Sequence, residues 1–444
     1  MGNDAPEDHE SARGISRRTQ SDIYRAGISG TRPLVPVDTQ ALEVAARKAL
    51  TPEAFAYIAG GAGAERTMAA NRAAFGRWQI WPRPLRDVGE RDLSIDFLGT
   101  RRPSPLLLAP LGVMEMVDDE ADLAVGRAAA SLGMPYTLSN QASYPMEDVR
   151  DAAPDGSRLF QLYWSADDDL NASLLRRAES SGCEAIVVTL DTHLLGWRTR
   201  DLDLAYLPFT RGLGIAQYTS DPVFQQLVRA RARARARTAT STDAPAVKLT
   251  PKAVAAGVTI ARKGRALTGA GIRESLRSPL PRAAVETFLD VFSTPALTWD
   301  DLAKAREWTS LPIILKGIVH PDDAARAVDA GLDGVWVSNH GGRQIDQSVP
   351  TLDVLPAIAD RVAGRVPIVF DSGVRQGSDA AIALALGATA VAVGRPYAYG
   401  LGIAGEAGVR EALRNILAEL DITVGLSGHT AVRDLDRDAL RAVA

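Results

Sequence analysis

Short apolar runs recur along the chain from residue 105 onward, each closed by a polar or glycine-containing turn and most followed by an alanine-rich stretch. The runs are Leu106–Ala109, Tyr136–Leu138, Leu159–Tyr163, Ala185–Leu190, Ile313–Lys316, Gly334–Val337, Ile368–Phe370 and Ala390–Val393. Continuous Val, Ile and Leu without polar alternation predict strands of a parallel sheet buried on both faces. The stretches around 118–132, 167–182, 321–331, 352–363 and 378–387 read as the helices between them. Eight such units predict an α/β fold of the (β/α)8 TIM-barrel type rather than an open doubly wound sheet. Ahead of the barrel, Leu42, Val44, Ala45, Leu50, Phe55 and Ile58 fit one or two amphipathic helices, with Thr51-Pro52-Glu53 as a helix start.

Two stretches break this rhythm. Residues 1–35 show no apolar period and predict a disordered N-terminal tail, leaving 36–444 as the barrel domain. The connection between the fourth and fifth strands carries a basic insertion over 221–290. It holds thirteen Lys and Arg against five Asp and Glu, including Arg229, Arg231, Arg233, Arg235 and Arg237. This segment is expected to be a lid with a disordered middle, since loops at that barrel face carry function and like charges repel. The alternative, an RNA-binding arm, lacks interleaved aromatics. Across the whole chain 50 basic and 54 acidic residues give a net charge of -4, which argues against a general nucleic-acid or membrane coat. A single cysteine, Cys183 in an apolar run, excludes a disulfide framework and a cysteine-based metal cluster and reads as a buried thiol. No stretch reaches the roughly 18 apolar residues of a membrane span, and the polar N-terminus has no signal-peptide core, so a cytoplasmic protein is expected.

Polar residues gather at the predicted strand ends, where barrel enzymes build their sites. Gln161 and Tyr163 close the third strand, Thr189 and Asp191 the fourth, Lys316 the fifth, Ser338-Asn339-His340 the sixth and Asp371 the seventh. The turns Asp371–Gly377, with Gly373 and Arg375, and Val393–Pro396, with Gly394 and Arg395, combine glycine-permitted backbone approach, helix-start N–H groups and an arginine. Together they predict a phosphate site. His340 can accept a proton. Arg343, three residues on, can grip a carboxylate in bidentate fashion, and Arg198 offers a second contact. Asp191 is placed to pair with His340, and Lys316 adds a fixed positive charge. No metal site is indicated.

SNHGGRQ, DSGVRQG, VGRP, FQLY, VVTLDT…GWR and LKG together resemble the FMN-dependent family that oxidises 2-hydroxy acids. The similarity runs from about residue 40 to the C-terminus outside the basic insertion, and the run over 189–224 is most similar to the lactate 2-monooxygenase branch. The resemblance implies FMN as cofactor, a small 2-hydroxy acid and oxygen as reactants, and a homotetramer or homo-octamer. It makes His340 the base and Asp191 its partner, with Arg343, Arg198, Tyr57 and Tyr163 on the substrate. Lys316 would lie by the flavin N1 edge, and Pro110, Leu111 and Gly112 would pass its N5 edge. Ser139, Gln161, Thr189 and Ser338 match flavin-contacting positions, and Asp371, Gly373, Arg375, Gly394 and Arg395 match the ribityl and phosphate grip. Gly112 stands where oxidases of the family often carry Ala. This implies that the keto acid is retained and oxidatively decarboxylated in place. Gln141 stands in a pocket position where relatives are apolar, and Glu115 is an uncommon carboxylate just beyond, so the pocket wall is expected to be polar. Simple oxidation with release of peroxide, and oxidation of a larger biosynthetic 2-hydroxy acid, stay open. A phosphosugar isomerase or aldolase on the same barrel would leave the paired arginines beside His340 unexplained.

Overall fold

The computed structural model describes residues 14–238, 250–269 and 271–443. Eight parallel strands close a barrel in chain order. They are β1 (Leu106–Leu108), β2 (Tyr136–Leu138), β3 (Arg158–Tyr163), β4 (Ala185–Thr189), β5 (Ile313–Ile318), β6 (Gly334–Val337), β7 (Ile368–Phe370) and β8 (Ala390–Val393). The register runs Tyr163 beside Thr189 and Thr189 beside Lys316, which levels these polar strand ends at one face. Strand side chains alternate between two cores. Leu107, Leu159, Val187, Ile314, Trp336 and Val369 fill the barrel interior, while Leu108, Phe160, Val188, Leu315 and Phe370 pack outward under the helices.

Two short pairings lie outside the barrel. The hairpin Ile95–Phe97 with Thr100–Arg102 inserts Phe97, 1% exposed, into the interior core. Trp78–Ile80 pairs antiparallel with Leu440–Ala442.

The N-terminal expectation needs correction over residues 14–35: residues 14–28 form a helix on the last long helix, Arg395–Leu426, and Val35 is fully buried in the core. No apolar stripe announces it, because a polar contact anchors it. Ser16 donates its backbone N–H and its hydroxyl to Asp421 at 2.9 and 2.6 Å, and Arg91 donates two further bonds to the same buried carboxylate. Residues 1–13 of the expected tail lie outside the described residues.

The insertion after β4 is largely helical, over Pro222–Thr238, Pro251–Lys263, Ile272–Arg277 and Leu280–Val291. The middle of the insertion, expected to be disordered, is helical over Pro251–Lys263, while residues 239–249 lie outside the described residues. Phe288 anchors the insertion, its ring 5.2 Å from Phe209, 4.9 Å from Tyr218 and 5.2 Å from Phe292. Arginines 231 and 235 sit one helical turn apart and pair with Asp290 and Glu286, also one turn apart. No helix among the described residues is long and apolar enough to cross a membrane.

Candidate active site

The C-terminal ends of the strands open into one cavity. Its wall includes Tyr57, Tyr163, Arg198, Lys316, His340 and Arg343 on one side. Pro110, Leu111, Gly112 and Gln141 line another part, and Asp371, Gly373, Arg375, Gly394 and Arg395 a third. Asp191, Ser139, Gln161, Thr189 and Ser338 do not line the cavity; the last four are buried and Asp191 is half-buried.

His340 leaves β6 in a left-handed conformation, φ 57°, followed by Gly341 and Gly342 at φ 65° and 76°. A non-glycine residue held there is strained, and such strain collects where surrounding contacts over-determine the backbone. Here a Cβ on Gly342 would approach Met68 N to 2.6 Å, so only glycine lets the turn close against the helix Arg66–Phe75. Ser372 Oγ accepts N–H bonds from Asn339 and Gly341 at 3.3 and 3.0 Å, and Asn71 exchanges amide bonds with Asn339. Sequence reasoning missed Ser372 and Asn71. Both act across the fold, and nothing local to either residue signals it.

His340 Nδ1 lies 2.8 Å from Asp191 Oδ1. That bond fixes the ring, directs Nδ1–H to the carboxylate and leaves Nε2 as the free nitrogen. Burial lowers the His340 pKa, and the Asp191 charge opposes that fall without cancelling it. Burial would raise the Asp191 pKa, but Lys316 and His340 outweigh it and hold the carboxyl well below the usual carboxylate range. Lys316 Nζ sits 3.6 Å from Asp191 and 3.5 Å from Asp371 and donates to Ser338 Oγ at 2.8 Å. Burial disfavours its charge, yet the two carboxylates raise its pKa, so it stays a cation. Trp336 Nε1 donates to Asp371 at 2.9 Å and steadies that carboxylate from inside the barrel.

Two guanidiniums meet at the mouth. Arg343 lies over the Tyr57 ring at 5.0 Å and donates to the carbonyls of Tyr57 and Gly60. Burial first and the neighbouring Arg198 charge second lower the Arg343 pKa to about 9. Arg198 donates to Gln344 at 3.3 Å, while its buried Nε has no partner among the described residues. Two buried like charges side by side are unfavourable; Asp201 offsets them in part, and a carboxylate bound in the cavity would offset them further. The phenol of Tyr163 is pushed up to about 12 by burial and then by Asp191, and burial raises that of Tyr57, so both remain donors.

The residues also fit the flavin. Gln161 Oε1 accepts from Ser139 Oγ and Asn140 N at 3.1 and 3.0 Å, which turns its amide nitrogen into a donor with no partner among the described residues. The Thr189 hydroxyl, on the adjacent strand, is also buried without one. Buried orphan donors of this kind call for a polar partner, and the polar edge of a heterocycle supplies it. At the other end Arg375 is half-buried, its pKa lowered to about 10 by desolvation and then by the Arg395 charge. Gly394 precedes the N-terminus of the helix Arg395–Leu426, and a Cβ there would meet nothing closer than 3.9 Å. Arginine charge, an open helix start and a bare backbone suit a phosphate. Arg395 differs in part from the expected grip. It lines the cavity but donates to the carbonyls of Ile58, Gly341 and Gly60, tying the His340 turn to the helix Pro52–Ala59.

Residues 46–442 match the FMN-dependent dehydrogenase family. An L-lactate oxidase of Lysinibacillus sphaericus is 38% identical over 426 residues, spanning 95% of this chain and 96% of its own. A 4-hydroxymandelate oxidase of Amycolatopsis orientalis is 36% identical, spanning 88% of this chain and 94% of its own. A crystal structure of mandelate oxidase with (S)-4-hydroxymandelic acid superposes with a TM-score of 0.73 at 34% identity, covering 92% of this chain and 99% of that one.

Proposed function

Because this chain belongs to the FMN-dependent dehydrogenase family, we propose that it oxidises an L-2-hydroxy acid to the 2-keto acid with oxygen as acceptor, and that the keto acid is decarboxylated before it leaves. The observation that carries this reading is a proton acceptor beside a buried arginine pair. His340 is held by Asp191 at 2.8 Å, with Arg343 and Arg198 lining the same cavity.

The arginines bind the substrate carboxylate and so present the carbinol carbon at a fixed distance from the imidazole. His340 Nε2 takes a proton from the hydroxyl in hydride transfer or from the α-carbon in the carbanion route, and Asp191 stabilises the imidazolium that forms. Tyr57 and Tyr163 donate hydrogen bonds to substrate oxygens. Lys316, which lines the cavity, would hold positive charge beside the bound cofactor, where reduction adds negative charge. FMN, when bound, would supply the redox chemistry, carrying two electrons from the hydroxy acid to oxygen and so giving one hydrogen peroxide beside each keto acid. Peroxide and the retained keto acid RCOCOOH balance to RCOOH, carbon dioxide and water.

Retention is tied to Gly112. A Cβ there would come within 2.9 Å of Gln141 Cβ, so the missing methyl sets how the pocket wall sits beside the cofactor edge. Gly112→Ala is expected to displace Gln141 and shift product from the shortened acid toward free keto acid and peroxide. An unchanged partition would remove decarboxylation from the proposal. A second reading rests on Gln141 itself, an amide in the cavity wall, which suits a 2-hydroxy acid with a polar side chain larger than methyl.

The deciding experiment is anaerobic titration of the purified yellow protein with a panel of L- and D-2-hydroxy acids, followed by aerobic product analysis. Bleaching of the flavin band by L-acids alone is the expected result. No bleaching by any of them would overturn the assignment.

A further inference from the structure

Glu115 was expected to make the pocket wall polar, yet it does not line the cavity. It turns the other way, its side chain only 9% exposed, toward the insertion that follows β4. Its Oε1 accepts the backbone N–H of Gly214 at 2.9 Å, and its other oxygen pairs with Lys263, the last residue of the helix Pro251–Lys263. Its own backbone N–H donates to Ser143 Oγ at 3.0 Å, and Ser143 N donates to the buried carboxylate of Asp122 at 2.7 Å.

Gly214 is where this arrangement reaches the site. It adopts φ 69°, and a Cβ on it would approach Val113 Cγ2 to 2.6 Å and the Gln141 carbonyl oxygen to 3.0 Å. That same carbonyl accepts Val113 N at 2.9 Å, and Ala216 N donates to the Ala142 carbonyl at 3.3 Å. From the opposite side Gly112 touches Gln141 so closely that a methyl would not fit. Gln141 is therefore clamped between two glycines, one on the turn after β1 and one on the connection from β4 that leads into the insertion. Glu115 is the side chain that fastens the second to the first.

We propose that Glu115 is a positioning residue for substrate side-chain selection. It ties Lys263 of the basic insertion, which places no described residue in the cavity wall, to the Gly214 turn that packs against the backbone of Gln141. The positive charge of the insertion has a local use in this account, since Lys263 meets a carboxylate that emerges from the first βα loop. The inference rests on the proposed 2-hydroxy acid oxidation for its kinetic arm only.

The test compares Glu115→Ala, Glu115→Gln and Lys263→Ala as FMN holoenzymes. Kinetics are measured on L-2-hydroxy acids of increasing side-chain length, and hydrogen exchange over 141–143 and 214–216. Loss of a charged acceptor is expected to flatten the kcat/KM preference among side chains by about tenfold in Glu115→Ala, chiefly through KM. In that variant kcat on the preferred acid stays within about twofold and exchange rises in both segments. Glu115→Gln keeps an oxygen for Gly214 and is expected to recover most of the preference, with Lys263→Ala intermediate. Should Glu115→Ala fail to fold, the half-exposed Lys263→Ala carries the comparison. An unchanged preference with unchanged exchange overturns the proposal, as does an equal fall in kcat for every acid with loss of FMN. If the wild-type protein oxidises no 2-hydroxy acid, the functional reading fails on its own. The exchange arm then decides this one, faster exchange at Gln141 supporting the coupling and unchanged exchange overturning it.

Discussion

His340 must be neutral to act, and its surroundings pull its proton affinity in opposite directions. Burial lowers its pKa below the ordinary value of about 6.5, and the Asp191 charge partly restores it. The sign follows: kcat/KM is expected to fall only as pH drops through a value below about 6.5, where the ring gains the proton it should accept. Asp191→Asn removes the charge that favours protonation, so this acid limb moves to lower pH while kcat itself drops. His340→Ala is expected to cost about 10²–10⁴ in kcat. A pH–rate profile of the three proteins checks both statements, and an acid limb unmoved in Asp191→Asn would contradict the pairing. At this scale the sequence was most readable where chemistry and strand ends coincide: His340, Lys316, Arg343 and Asp191 all flank one cavity. Unreadable were contacts set by tertiary closure, such as the Asn71–Asn339 amide pair and the three carbonyl bonds of Arg395.

The barrel strands were legible because burial on both faces leaves an unbroken apolar run, a strong and local signal. The insertion was not. An Arg/Ala alternation suggests self-repulsion, but its helix places Arg231 and Arg235 on one side, facing Asp290 and Glu286 on a helix some fifty residues later. Those pairs are solvent-exposed and contribute little to stability. Glu286→Ala is accordingly expected to cost less than about 1 kcal/mol, whereas Phe288→Ala, which empties the centre of the aromatic cluster, costs about 3–5 kcal/mol. Chemical denaturation of the two variants distinguishes a segment held by charge from one held by rings. The helix Gly14–Ile28 escaped notice for a related reason. Its buried face is Ser16 and Thr19, and what docks it is a carboxylate on the last long helix.

For the molecule as a whole, charge is unevenly distributed. The net value is -4, yet the cavity gathers Arg198, Arg343, Lys316, Arg375 and Arg395. An anionic substrate is drawn toward that mouth by a field that salt screens over about 10 Å at 0.1 M. KM for the hydroxy acid is therefore expected to rise with ionic strength while kcat stays constant, a split that stopped-flow and steady-state measurements at several salt concentrations resolve. Invariance of KM to salt would argue against steering by these arginines.

The pairing of Trp78–Ile80 with Leu440–Ala442 sets a timetable for the nascent chain. A ribosome releases the first of these strands more than three hundred residues before its partner exists, and β1 likewise waits for β8. The helix Gly14–Ile28 also has no docking surface until Asp421 has emerged. These early segments therefore lack one partner each through much of translation, β1 having only its β2 edge to pair with, and the stretch from Ala390 to Ala442 is the clasp that closes barrel, outer strand pair and N-terminal helix together.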